Sequence, residues 1–439
     1  MAQPHRTTWL DGLRGLAAAV VAFNHFFMGG MLDLAFRSYW SDPPSDNRRI
    51  IQLPPIRLIF ASHAMVPLFF VISGYAISIN LLHTRNTSPN TLLISLSSAL
   101  TRRGLRIYLP VFVLAFLSQL IYFLGLYHWP FGDDIIWGRR PFTAPWFHFT
   151  YLLRYLLDIV NVIQFHHNPG LNGQLWTMPT EYRGSCVVYL MVCGMAFWRK
   201  GVRMAGLLAA MGYCFWYGIW DIFGFLAGLG LAEIRMNKGG EEGDQGALLG
   251  VEKDYRRGER RGWMNRATLT TGLCLVFGLH LLCLGDDGFL TPGYQFLGHL
   301  QSPRWDDDWG ILSRCWKSLG AVLLVYAVDC SEMLQRPLDA RLSQYLGRVS
   351  FALYLVHQSV YHVARDPIRN LIWWMMAGSE YPTATEEAQK EIMPFGVAWL
   401  GTAVVTGALV LYLAGLWTRF VDARCVRVAR GVERWLVGA

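Results

Sequence analysis

Residues 145–163 read PWFHFTYLLRYLLDIVNVI, a run apolar enough to cross a bilayer were it not for Arg154 and Asp158 inside it. A charge at a lipid-facing bilayer centre costs about 2.5–3.5 kcal/mol on insertion scales. Whether this run crosses decides the arrangement of the whole chain, because every later segment changes sides with it. Around it lie ten plainer apolar runs, at about 14–33, 57–81, 107–127, 175–197, 204–219, 221–235, 267–285, 311–329, 349–363 and 395–417. The longer ones match a hydrocarbon core of about 30 Å, and the shorter ones need help from neighbours. If 145–163 stays out, both termini share one side. The basic segments Arg102/Arg103/Arg106, Arg199/Lys200/Arg203, Lys253–Arg261, Arg336/Arg341/Arg348 and Arg419–Arg434 then share it too. The acidic patches Asp133/Asp134, Asp286/Asp287 and Asp306/Asp307/Asp308 face the other side. Excess Lys and Arg marks cytosolic loops, so the basic side is read as cytosolic. If the run crosses, that bias collapses. The expectation is an all-α polytopic membrane protein with about ten transmembrane helices, residues 145–163 forming one re-entrant or interfacial helix.

Composition points the same way. Of 439 residues, 53% are hydrophobic and 16% charged, against about 45–50% and 25% in soluble domains. A soluble globule cannot hide that much apolar surface, and disorder is excluded because its signature is low hydrophobicity. The net charge of +8 follows the positive-inside pattern, and no basic-aromatic motif points to nucleic acid. The lipid bilayer is the expected partner. The eight cysteines (186, 193, 214, 274, 283, 315, 330 and 425) form no C-x-x-C pair, so neither a metal site nor a disulfide framework is expected. Residues 1–13 lead into a retained first span rather than a cleavable signal. The whole of 1–439 is expected to be one domain, with a flexible cytosolic loop at 236–266 rich in Gly and charge. No internal repeat of fixed period appears, which weakens a transporter built on inverted repeats.

The first span carries the chemistry. It reads Leu10-Asp11-Gly12-Leu13-Arg14, and then, after ten further residues, His25. Eleven residues on an α-helix turn through about 1,100°, so Arg14 and His25 share a face about 16–17 Å apart. A guanidinium suits phosphate and an imidazole suits proton transfer. An extended pantetheine arm is of comparable length, so an acyl-CoA along this stripe sets its thioester beside His25. An ionisable group inside a membrane is functional by default. The plainer alternative is an interhelical hydrogen bond for His25 and snorkelling for Arg14.

These residues carry a resemblance. Asp11-Gly12-Leu13-Arg14 with His25 is similar to the opening motif of the acyltransferase 3 family of integral-membrane O-acyltransferases. Val66-Pro67-Leu68-Phe69-Phe70-Val71-Ile72-Ser73-Gly74-Tyr75 resembles its second-span signature, and Arg103-Gly104-Leu105-Arg106 its R-x-x-R pair. Leu175-Trp176-Thr177-Met178-Pro179-Thr180-Glu181 resembles its W-x-x-x-x-E segment. Gly347-Arg348-Val349-Ser350-Phe351-Ala352-Leu353-Tyr354-Leu355-Val356-His357 resembles its late-span motif. The motifs run in the family's order over nearly the whole chain. Gly184-Ser185 after Glu181-Tyr182-Arg183 looks like the fungal branch, which includes enzymes decorating small-molecule metabolites.

The resemblance implies O-acyl transfer from acyl-CoA, with acetyl the expected unit, to the hydroxyl of a small-molecule acceptor such as a terpenoid or polyketide. It implies His25 as general base or acyl carrier and Glu181 as its orienting carboxylate or as an acceptor ligand. Arg14, Arg103 and Arg106 are expected on the phosphates of acetyl-CoA, with Ser73 and Tyr75 lining the donor path. His63, Trp176, Ser350, Tyr354 and His357 are expected on the acceptor side, the last three sharing a face at i, i+4 and i+7. No metal is implied. The plainer readings are a boundary role for the arginines, pairing of Glu181 with Arg183, and an interhelical polar seam for Ser350, Tyr354 and His357. The endoplasmic reticulum or another endomembrane is the expected location. The alternatives are a carbohydrate O-acetyltransferase or a membrane transporter of a metabolite. Two lookalikes are rejected: His128-x4-Asp133 sits in a short loop without a soluble α/β context, and in His362-x3-Asp366 a proline, Pro367, follows where the soluble pattern has glycine.

Overall fold

The computed structural model describes residues 7–28, 37–129, 139–164, 170–248, 259–285, 288–305 and 308–437. Side chains of 238–248, 259–267 and 290 lie outside that description, as do the acidic residues Asp133, Asp134, Asp286, Asp287, Asp306 and Asp307. The long helices are α1 (Thr8–Phe27), α2 (Ser62–Thr87), α3 (Leu92–Phe123), α4 (Pro145–Val160), α5 (Thr177–Gly194), α6 (Lys200–Trp216), α7 (Trp220–Leu248), α8 (Glu259–Leu282), α9 (Trp309–Asp329), α10 (Arg341–Ala377), α11 (Ile392–Trp417) and α12 (Ala423–Val437). Among the described residues there is no strand. The protein is all-α. All eight cysteines are free thiols.

Among the described residues, four stretches are long and apolar enough to cross a membrane: α2, Pro89–Phe123, α9, and Ile392–Val437. The other expected spans fall short for a physical reason. They are short, as α6 is, or carry charge, as α1 does with Asp11 and Arg14 and α5 with Glu181 and Arg183. Helix α4 has 16 residues, about 24 Å of rise against a core of about 30 Å. It buries His148, Tyr151, Leu152, Tyr155 and Ile159, a single stripe at helical spacing, and leaves Arg154 exposed.

The loop expected at 236–266 is helical at both of its ends. Helix α7 continues to Leu248 and α8 starts at Glu259, with 249–258 outside the described residues. Lys, Glu, Gln and Ala in this stretch are good helix formers and outweigh its glycines. The chain carries one N-x-S/T sequon, Asn86-Thr87-Ser88. Asn86 lies inside α2 and its side-chain oxygen accepts from Arg85, so an absent glycan there says nothing about sidedness.

Two compact units emerge from the chain, Met1–Ala17, Leu34–Leu100 and Arg183–Gln344 forming one, Ala18–Asp33, Thr101–Tyr182 and Tyr345–Ala439 the other. In the first unit α2 and α7 touch backbone to backbone. A methyl added at Gly74 would strike the Phe225 carbonyl, and one at Gly228 the Val71 carbonyl. Small residues let apolar helices close in this way where burial alone gives little drive. The same unit sequesters charge. Arg85 binds Glu233 in a fork at 2.5 and 3.1 Å, and Arg203 Nε adds a third contact at 3.2 Å. Arg85 and Glu233 are both almost fully buried. Tyr75 donates to Asp329 at 3.1 Å, and Arg235 pairs with the same carboxylate.

In the second unit the end of α1 packs on α10. Phe26 meets Tyr361 and Trp399 edge to face. Segment 172–177 threads between α10 and α3, held by its own polar groups. Asn172 accepts from Ser359 at 2.8 Å and Ser118 at 3.2 Å, and Gln174 donates to the Leu355 carbonyl at 2.7 Å.

Candidate active site

Asp11 sits in the first turn of α1, where a carboxylate meets the positive end of the helix. The apolar run Ala17–Val21 then continues the helix to His25. There the His25 Nδ1 lies 2.8 Å from His357 Nε2. The two rings are 14° from parallel with centroids 5.1 Å apart. His357 has no exposed surface, and its Nδ1 lies 3.1 Å from the Leu353 carbonyl one helical turn back.

This chain of contacts fixes the tautomers of the neutral pair. A carbonyl only accepts, so His357 Nδ1 carries a proton and its Nε2 offers a lone pair. His25 Nδ1 must then donate to that lone pair, and the basic nitrogen of His25 is Nε2. A histidine with a held Nδ1–H and a basic Nε2 is the arrangement that acid–base chemistry requires. The Gln358 side-chain amide lies 3.4 Å from the same His25 nitrogen, and Tyr361 donates to the Ala22 carbonyl at 3.0 Å. His25 itself is half-buried.

The other expected residues divide as follows. His357, expected on the acceptor side, is the hydrogen-bond partner of His25. Tyr354 donates to the Gln174 carbonyl at 3.0 Å and lies 3.0 Å from the Thr177 hydroxyl. Ser350 bonds back to the Gly347 carbonyl of its own helix at 2.9 Å. The shared face of Ser350, Tyr354 and His357 therefore serves three separate partners. Arg103 and Glu181, given different tasks from sequence, form an ion pair with each other. Arg183 pairs with Asp221. Arg106 is exposed on α3, and its charge acts on Asp422. Trp176 is half-buried at the end of the 172–177 segment.

In the first unit Arg14 pairs with Asp11 at 2.9 Å and stays about two-fifths exposed. His63 is exposed at the start of α2, Ser73 half-buried, and Tyr75 buried in the network with Asp329 and Arg235. Sequence reasoning passed over Asn172, Gln174 and Gln358. The signal was present, since polar amides beside Trp176 and His357 in apolar surroundings demand partners.

A family model for an acyltransferase domain matches residues 7–415. The O-acetyltransferase PaAT-1 of Phomopsis amygdali is 26% identical, covering 97% of this chain and 84% of that protein. Acyltransferase R4 of a Phoma species is 24% identical over 95% of this chain and 94% of its own. Acyltransferase clz18 of Cochliobolus lunatus is also 24% identical, over 96% and 95%. No solved structure matches. With the motifs in order, a paired histidine on the first helix, and a family match across almost its full length, the chain belongs to the acyltransferase 3 family and resembles its fungal members.

Proposed function

We propose that this protein transfers an acetyl group from acetyl-CoA to a hydroxyl of a small-molecule acceptor, with His25 Nε2 as the general base. The observation that carries the reading is the relay from the Leu353 carbonyl through His357 to His25 Nδ1. His25 Nε2 takes the hydroxyl proton as the acceptor oxygen attacks the thioester carbonyl. A C–O bond forms, the C–S bond breaks, and the departing CoA thiolate recovers the proton from the imidazolium. His357 stabilises that imidazolium by accepting its Nδ1–H throughout. Arg103 and Arg106 supply positive charge for the donor phosphates, since arginine forks match phosphate oxygens. Glu181 then acts through Arg103, holding its guanidinium in one rotamer.

The acceptor proposed is a secondary metabolite, and similarity to the O-acetyltransferase of Phomopsis amygdali supports acetyl as the transferred unit. The chain sits in an endomembrane as about ten spans, with both termini cytosolic and α4 lying along the membrane surface. Its basic loops support that orientation. The test compares metabolites from cells with and without the gene. A product heavier by one acetyl group in the wild type, and free CoA released when membranes receive acetyl-CoA with extract of the deleted strain, support the proposal. Acetyl-CoA uptake into vesicles without CoA release would point to a transporter instead.

Replacing His357 with leucine keeps the volume and removes the acceptor for His25 Nδ1–H. Setting the wrong tautomer costs a comparable catalytic histidine up to about 10⁴-fold. Turnover in His357→Leu is expected to fall at least about 10²-fold at unchanged KM. Steady-state rates on membranes check it.

A further inference from the structure

The rejected lookalike His362-x3-Asp366 contains a residue that the reaction does not account for. Arg365 is 3% exposed and its guanidinium plane lies 3.3 Å from the Trp129 ring centre. Its Nη1 donates to the carbonyls of Phe26 and Met28, each at 3.2 Å, and its Nε to Asp366 at 2.9 Å. Phe26 follows His25 directly, and α1 ends at Phe27. The last carbonyls of a helix lack partners within it, and a cation placed there both donates to them and meets the negative end of the helix.

The contacts follow a pattern. On α10, positions 357, 361 and 365 recur every four residues and so share a face. They reach His25, the Ala22 carbonyl, and the Phe26 and Met28 carbonyls respectively. One helix face thus splints the last turn and a half of the other. Trp129, the plate beneath Arg365, is fixed to the same helix. The backbone N–H groups of His128 and Trp129 donate to the His362 carbonyl at 2.7 and 3.1 Å. Asp366 holds Arg365 and also meets Arg369 at 3.2 Å, so its carboxylate serves this clamp rather than an H-x3-D active site.

We propose that Arg365 is a positioning residue for His25: by tying down the carbonyls after it, Arg365 sets where the imidazole stands relative to the reacting carbonyl. The inference rests on His25 being the base. Donating to two carbonyls through Nη1 and to a carboxylate through Nε while stacked on indole is a task for arginine, because lysine offers a single point charge. Misplacing a reacting group by about 1 Å can cost about 10²-fold in rate.

The test uses the full-length chain in membranes, with acetyl-CoA as donor and extract of gene-deleted cells as acceptor source. Arg365→Gln is expected to lower turnover at saturating acetyl-CoA about 10- to 100-fold. Its KM for acetyl-CoA should stay within about twofold, the split expected when transition-state geometry alone is lost. Arg365→Lys should recover part of that loss. A merely structural role would lower abundance and melting temperature and leave turnover per folded molecule alone. Should Arg365→Gln not accumulate, Trp129→Leu and Arg365→Lys carry the test, since both keep a cation at the helix end and loosen its fit. Wild-type turnover in an accumulating Arg365→Gln, or in both of the other variants, overturns the proposal, as does a rise in KM alone. His25→Ala separates the two ideas: if it retains activity, the base assignment fails and not the clamp alone.

Discussion

His25→Ala accumulates in the membrane and loses acyl transfer by about 10³-fold or more, because general acid–base catalysis by one side chain contributes about 10²–10⁴-fold. The same nitrogen serves twice here, taking the acceptor proton and returning it to the leaving thiolate, so the upper part of that range applies. In free energy this is about 4–5 kcal/mol of barrier. Folding survives because the half-buried ring contributes little packing. The truncation leaves His357 Nε2 without its donor, at about 1–3 kcal/mol for an unsatisfied buried acceptor. Product formation per unit of membrane protein, measured beside a thermal melt, reads both effects. The variant also separates two roles for the ring. An acyl carrier leaves an acetylated histidine when wild-type protein meets acetyl-CoA alone and is quenched, whereas a general base leaves none. Substantial transfer by His25→Ala would remove the base from the mechanism.

The largest stability effect is expected far from the chemistry, at Glu233. Its carboxylate answers Arg85 in a buried fork and Arg203 beside it. Removing one partner of a buried pair leaves an uncompensated charge, at about 3–5 kcal/mol. Glu233→Ala strands two guanidinium groups, so it should lie at the upper end and show as lower abundance and an earlier melt in detergent. The double variant Arg85→Leu/Glu233→Leu should regain the part of that loss owed to Arg85, since replacing both members of a buried pair by apolar residues is often close to neutral, while Arg203 still lacks its carboxylate. A Glu233→Ala protein that melts like the wild type would mean water reaches the pair.

Much of this was open to reading in the residues, and the boundary is physical. His25 was legible because an imidazole in an apolar run is expensive and must be explained. All-α architecture was legible from the apolar runs. The partner of His25 was not, because His357 lies 332 positions away. Helical spacing places His357 on a face without saying what that face meets. The same limit applies to Arg103 and Glu181, 78 positions apart, each readable as ionic and neither as the other's mate. Tyr75 matched a motif, yet its hydroxyl goes to Asp329, a residue no local pattern connects to it. Arg365 was discarded along with a false motif, since its value lies in two backbone carbonyls, which no sequence pattern displays. At 236–266 the reverse happened: glycine and charge suggested a loop, and helix propensity prevailed at both ends.

The relay through His357 also decides in advance how an electrophilic inhibitor would react. With Nδ1 committed to its neighbour, a haloacetyl thioester analogue can alkylate only the distal ring nitrogen. The modified residue released by hydrolysis is then τ-substituted, never π-substituted, and warheads for this enzyme class are best shaped for approach along that one lone pair.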